Sequence, residues 1–335
     1  MRITLFFLLI ALTLHSCSTE RETTECAEVP EAVEPVSLQV ESLEHILPAI
    51  QSKDDLVQFL TQYPIIRDQV LHREAYPDDS TFINTLYQRF TNPHIDSLLL
   101  ETQRVFGDRS TLKKEFEYAF AHLHHYYPEV ILPKIQTIIT GFDTDLFISD
   151  TLIIVGLDYY LGPGAKYRPN MYEYILQQYI PQNIVPSVML LYGIDGRINA
   201  TNMNDRTVLA DMIAYGKSFY FAKRMLPCTP DSILINYTQN DIEGSKKNQD
   251  LIWFRLVEDK VLYSTANQVK QHYLGERPKT VEVGPECPGR IGQWVGWQIV
   301  NSYMKSHEEL TLQQLMKIED ADKLFKESKY KANRK

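Results

Sequence analysis

Apolar residues recur at intervals of three and four over Leu43, Ile46, Leu47 and Ile50, and again over Leu56, Phe59 and Leu60. That spacing lines one face of an α-helix, and the same rhythm runs on to Tyr127. Ser52 with Asp55 three positions later reads as a capping box, and Ser110 ahead of TLKKEFEYAFAHLHHYY as the N-cap of a longer helix. The period then shortens. PKIQTIIT, DLFIS and TLIIVGL are short, rich in β-branched residues and divided by GFDT and a single Asp, which predicts a small central sheet of hairpin-linked strands. Beyond Asn170 the helical spacing returns: Leu209, Met212, Ile213, Gly216, Phe219 and Tyr220 form one stripe, and NDIEGSKKNQDLIWFRLVEDK supplies further helices. The expected fold class is α+β, predominantly α-helical with a small central sheet.

One predicted helix breaks the usual composition. In PGRIGQWVGWQIVNSYM, Gly292 and Gly296 stand four apart, flanked by Trp294 and Trp297, and Ile291, Val295, Ile299 and Val300 make the rest almost wholly apolar. Each glycine weakens a helix interior by about 1 kcal/mol relative to alanine, so the position must require its lack of a side chain. A helix apolar nearly all round is a buried one. The two glycines are therefore expected to admit another backbone, either the stripe from Leu209 to Tyr220 or the central sheet, with the tryptophans filling space beside them.

The chain ends add location. Arg2 precedes an apolar run from Leu5 to Leu12, and Leu14-His15-Ser16-Cys17 follows. The run is much shorter than the ~20 residues that span a bilayer, so it reads as an export signal. Leu at −3, Ser at −1 and Cys at +1 resemble a bacterial lipobox, which makes Cys17 the lipidation site. STERETTECAEVPEAVEPVSLQ has no aromatic residue and no apolar periodicity, the composition of a tether. The organisation read from sequence is a signal peptide over 1–16, a lipidated flexible tether over 17–39, and one globular domain over 40–335. Cys26 lies in the tether. Cys228 in LPCTP and Cys287 in ECPGR remain, both beside prolines, and an exported protein sits where disulfides persist, so Cys228–Cys287 is the candidate bridge.

The formal net charge is −9, and loss of Arg2 with the signal makes it −10. An acidic body without a basic patch argues against a nucleic-acid partner; the expected partners are the membrane, through the lipid, and other envelope proteins. Catalytic signatures are thin. His122, His124 and His125 cluster at a predicted helix end, where imidazoles interact with exposed carbonyls, and no glutamate stands at metallopeptidase spacing. Asp158, between glycines, reads as the organiser of a turn after a buried strand. Lys217 and Arg290 read as surface cations or as partners of Asp158 or Asp211. No cofactor and no metal are expected.

Three segments resemble the gliding-motility lipoprotein GldB family of Bacteroidetes: Gly156-Leu157-Asp158-Tyr159-Tyr160-Leu161-Gly162, Met212-Ile213-Ala214-Tyr215-Gly216-Lys217-Ser218-Phe219-Tyr220, and Pro288-Gly289-Arg290-Ile291-Gly292-Gln293-Trp294-Val295-Gly296-Trp297-Gln298-Ile299-Val300. Ser328-Lys329-Tyr330-Lys331 closes the chain in the same manner. The resemblance implies an outer-membrane lipoprotein associated with gliding and type IX secretion. Its motif residues in this chain are Gly156, Asp158, Tyr160, Gly162, Met212, Gly216, Lys217, Tyr220, Arg290, Gly292, Trp294, Gly296 and Trp297. The same segments resemble, more faintly, those of a group of zinc metallopeptidases, which would imply a degenerate zincin-like scaffold. Such enzymes need HExxH, and NIVPSVMLLYG, where it is expected, offers no zinc ligand. The leading expectation is a non-catalytic, lipid-anchored binding or assembly protein of the envelope. The alternatives are an exported metallopeptidase-like hydrolase with an unrecognised site and a general structural lipoprotein.

Overall fold

The computed structural model describes Cys26 and residues 33–331; the export signal, Cys17 and the rest of residues 1–32 lie outside them, as do residues 332–335. Among the described residues the order is β1 (Val40–Ser42), α1 (Lys53–Gln62), α2 (Asp79–Phe90), α3 (Pro93–Phe106), α4 (Ser110–Tyr126), β2 (Lys134–Ile138), β3 (Leu146–Ile148) and β4 (Leu152–Gly156). There follow α5 (Glu173–Leu176), α6 (Ile184–Ile194), α7 (Val208–Met225), α8 (Asp231–Ile235), α9 (Gln239–Lys247), α10 (Gln249–Glu258), α11 (Asn267–Tyr273), α12 (Ile291–Ser306), α13 (Leu312–Met316) and α14 (Ala321–Ser328). The α+β class with helix predominant is what the periodicity predicts.

Local signals behave as the sequence indicates at α1, where Ser52 Oγ accepts from Asp55 N and the Asp55 carboxylate accepts from Ser52 N at 2.8 Å. At α4 the start moves by one residue. Ser110 is the first helical residue, Arg109 precedes it with φ 64°, and Asp108 Oδ1 accepts the Ser110 N–H at 3.0 Å. The aspartate serves the N–H of Ser110 itself, and no side chain caps the N–H groups further into the first turn.

The sheet has the order β1-β2-β4-β3, with β1/β2 and β2/β4 parallel and β3/β4 antiparallel. Only β3 and β4 form a hairpin, so the expectation of hairpin links throughout is corrected. The parallel pairing of β1 with β2 needs a long crossover, and the helices α1 to α4 supply it. β1 itself is three residues long, too short to show a period. Side chains alternate across the sheet: Ile153 and Val155 face the larger core with α4, α6, α7 and α12, while Ile154 faces the smaller core with α1 to α3.

The domain begins before residue 40. Leu38 is buried in the larger core and its N–H donates to Glu117 Oε1 at 3.1 Å. Cys26, placed in the tether by sequence, forms a disulfide with Cys228, with Cα atoms 4.2 Å apart, and Cys287 is free. The expected Cys228–Cys287 bridge is therefore corrected. Burial pushes the Cys287 thiol up to about 12, so it stays protonated at neutral pH. At the other end Tyr330 is buried and its hydroxyl accepts from Gln249 Nε2 at 2.6 Å, so the C-terminal segment is packed as far as this residue.

Candidate functional site

The second and third family segments cross in the centre of the larger core. On Gly296 a Cβ would lie 1.9 Å from the Met212 carbonyl oxygen, and on Gly216 it would lie 2.4 Å from the Gly296 carbonyl oxygen. Neither leaves room for any side chain, because the obstacle in each case is backbone. Trp297 stacks on Phe219 with centroids 5.2 Å apart, and Trp294 is fully buried. The close approach to the Leu209 to Tyr220 helix is thus as expected, but it belongs to Gly296 alone. Gly292 faces the end of α11 instead, where a Cβ would meet Leu274 Cδ2 at 2.8 Å and Tyr273 O at 2.9 Å. Positions four apart on a helix differ by about 40° in direction, enough for different neighbours at so crowded a surface.

Lys217 is the largest departure from the sequence reading. It is fully buried, and Nζ donates to the carbonyls of Ala200 at 2.7 Å and Ile318 at 2.8 Å, with Met316 O at 3.4 Å. Burial holds its pKa down to about 8, with Glu319 pulling the other way. It is neither a surface cation nor a partner of Asp158 or Asp211. Three backbone carbonyls from two remote segments converge on one ammonium, which ties α7 to the chain after α13.

Asp158 lies two residues beyond the end of β4 and is fully buried. Oδ1 accepts from Thr140 N at 3.1 Å and Oδ2 from Phe142 N at 2.7 Å, with the Thr140 hydroxyl 3.4 Å from each oxygen. Burial raises its pKa to about 6, outweighing these hydrogen bonds. Asp158 organises the loop after β2 rather than its own turn alone. Gly156 beside it would place a Cβ 2.2 Å from Thr144 O, Tyr160 packs edge-on against Tyr179, and Gly162 takes φ +83°, a conformation that favours glycine.

Arg290 has φ 59° and precedes α12. Its Nη2 donates to Ile235 O at 2.9 Å and Asn236 O at 3.3 Å, and Nε lies 3.4 Å from Glu276 Oε2. Asp211 pairs with Lys270 at 2.7 Å. The two expected cation partners are therefore engaged elsewhere, and neither reaches Asp158. Tyr220, the last residue of the second segment, accepts at its hydroxyl from Arg224 Nη2 at 2.6 Å.

His122 is buried and its Nδ1 lies 2.9 Å from Tyr118 O, an interior carbonyl of α4 and not one of the exposed carbonyls at its end, and His125 packs edge-on against Tyr126. Among the described residues no group of three or more His, Cys, Asp or Glu is arranged to hold a metal ion. Two surface clefts meet at Tyr126 and Gln313: a polar one of about 880 Å³ reaching Tyr220 and Arg224, and a more apolar one of about 800 Å³ beside β3. Sequence reasoning found neither; the wall of the second is assembled from β3, the ends of α4 and α6, and α13.

Among the described residues no helix is long and apolar enough to cross a membrane. No curated protein and no solved structure matches the chain. The family model described as gliding motility protein GldB matches residues 24–332, a span that takes in all three segments and the Cys26–Cys228 pair. The chain belongs to the GldB family of gliding-motility lipoproteins.

Proposed function

We propose that this protein is a non-catalytic binding or assembly component of the cell envelope, held at the outer membrane by a lipid on Cys17 and acting in gliding motility and type IX secretion. One observation carries the non-catalytic part. The charged side chains of the family segments are consumed inside the fold: Asp158 by backbone N–H groups, Lys217 by backbone carbonyls, Arg290 by carbonyls and Glu276. Catalytic groups face the position of a substrate; these face the main chain of their own molecule and act as ties between segments. The bond from Cys26 to Cys228 supports the anchored part. It leaves the nine positions from Cys17 to Cys26 as the leash, a reach of at most ~30 Å, which keeps the body near the bilayer surface.

Two measurements test this reading. Cys17→Ser should release the chain from the outer-membrane fraction and abolish colony spreading in a gliding host that lacks its own copy; membrane retention equal to the parent would refute the anchor. The untagged body, dialysed against a mild chelator, should hold no stoichiometric zinc and should not cleave an unfolded protein substrate. One zinc per chain, lost together with cleavage in a His122, His124 and His125 triple alanine variant, would establish the hydrolase alternative.

A further inference from the structure

β3 is the outer strand of the sheet, and its three residues are only part-buried. Gly156 N donates to Asp145 O at 2.9 Å and Ser149 N to Leu152 O at 2.8 Å, which fixes Asp145, Phe147 and Ser149 as the residues bonded to β4. Bonded and non-bonded residues alternate along an antiparallel pair. The N–H and C=O groups of Leu146 and Ile148 therefore point away from β4, toward the open side of the sheet. Their side chains pack toward the larger core while Phe147 packs into the smaller one, so Leu146 and Ile148 also form one wall of the 800 Å³ cleft.

The other walls are unusual in two ways. Ile131 and Leu191, both lining the cleft, are 58% and 49% exposed. The hydroxyls of Tyr127 and Tyr192, which also line it, are buried with no hydrogen-bond partner. An unpaired buried hydroxyl costs free energy that a ligand could recover. The rim carries Glu129, Asp150 and Asp195 against Arg197 and Lys317, and Arg197 already pairs with Asp150 and Asp195. Carboxylates outnumber cations there.

We propose that the outer edge of β3 and this cleft together bind an extended peptide segment of a partner protein, added to the sheet as a fifth strand. Its alternate apolar side chains enter the cleft, and basic residues at its two ends reach the acidic rim. The backbone groups decide the class of ligand. A row of outward N–H and C=O groups is matched by another extended backbone, and the pleat sends every second side chain to the same face. The proposal rests on the reading of this protein as a binding component, but its test does not involve the anchor, so each can fail alone.

The test uses the exported chain with Cys17→Ser, labelled with ¹⁵N, and the probe acetyl-Lys-Leu-Lys-Leu-Lys-amide. The parent peptide should shift the amide signals of Leu146 and Ile148. Two N-methylated versions follow, one on the leucine nitrogens and one on the central lysine nitrogen. The version blocked on the edge that meets β3 should bind about tenfold more weakly and the other like the parent. Ile148→Pro removes an outward donor without touching the bonds to β4, which edge strands tolerate, and should abolish the shifts; Tyr192→Phe should weaken binding. Should Ile148→Pro fail to fold, the N-methylated peptides still decide, since they leave the protein unchanged. No shift at millimolar peptide, shifts that avoid Leu146 and Ile148, or equal binding of both N-methylated versions would overturn the proposal. So would dimerisation through β3 in the absence of peptide, which would make a second copy the occupant.

Discussion

The crossing of α7 with α12 and the cleft beside β3 border the same core, yet they treat polar groups in opposite ways. At the crossing, two helices approach until glycine meets carbonyl, and Lys217 beside it is enclosed by three carbonyl oxygens. Beside β3, backbone groups of Leu146 and Ile148 point outward and two tyrosine hydroxyls lack partners. Interiors are close-packed and their polar groups are paired, so the crossing is what a finished interior looks like. The cleft is what remains when an interior is left one element short. The second and third family segments make the crossing, and the residues that line the cleft lie outside all three segments.

The largest expected effect breaks the finished side. Gly296→Leu drives a side chain into the Met212 carbonyl, which is fixed within α7 and cannot swing aside. Overpacking against backbone should cost at least ~3 kcal/mol, read as a lower midpoint in urea. A variant with the parental midpoint would show that the helices can separate at little cost and that the crossing is not tight.

The next effect is a pH dependence. Asp158 in the folded state keeps its proton up to about 6, against 3.8 for the ordinary group. Between those values the folded state binds more protons than the unfolded one, so this carboxyl favours folding at low pH. Its contribution is lost as pH rises from about 4 to about 6, by roughly 3 kcal/mol. Urea melts at both ends of the window should show that component in the parent and lack it in Asp158→Asn. Equal slopes in the two proteins would mean that the hydrogen bonds from Thr140 and Phe142 hold the carboxylate ionised.

The smallest effects sharpen the contrast, because one substitution should act with opposite signs in the two regions. Tyr237 is buried and its hydroxyl donates to Gly289 O at 2.5 Å, so Tyr237→Phe strands a carbonyl and should cost about 1–2 kcal/mol. Tyr192 has no such partner, and Tyr192→Phe should leave stability unchanged or raise it by up to ~1 kcal/mol. Thermal melts of the two variants suffice; a loss at Tyr192 equal to that at Tyr237 would show that its hydroxyl is already satisfied.

Period and capping chemistry act over a few residues, and what depends on them alone could be read from the chain. The capping box at Ser52, the three β-branched strands, the helical stripe of α7 and the buried glycine helix α12 are all of this kind. Asp158 is not of this kind, since its carboxylate accepts from Phe142 and Thr140, 16 and 18 residues back in the chain. The sequence also shows why α12 needs its glycines, because a helix apolar on every side must meet a neighbour wherever it lacks a side chain. What only the tertiary structure decided depends on which remote segments approach each other. Cys228 bonds to Cys26 and leaves Cys287 free because a residue with no periodic context was brought to the end of α7. Lys217 looks like a surface cation in any local window, and it is buried because Ala200, Met316 and Ile318 turn their carbonyls to it. The outward face of β3 likewise has no local signature: that a strand is an edge is a fact about the strand it does not have beside it.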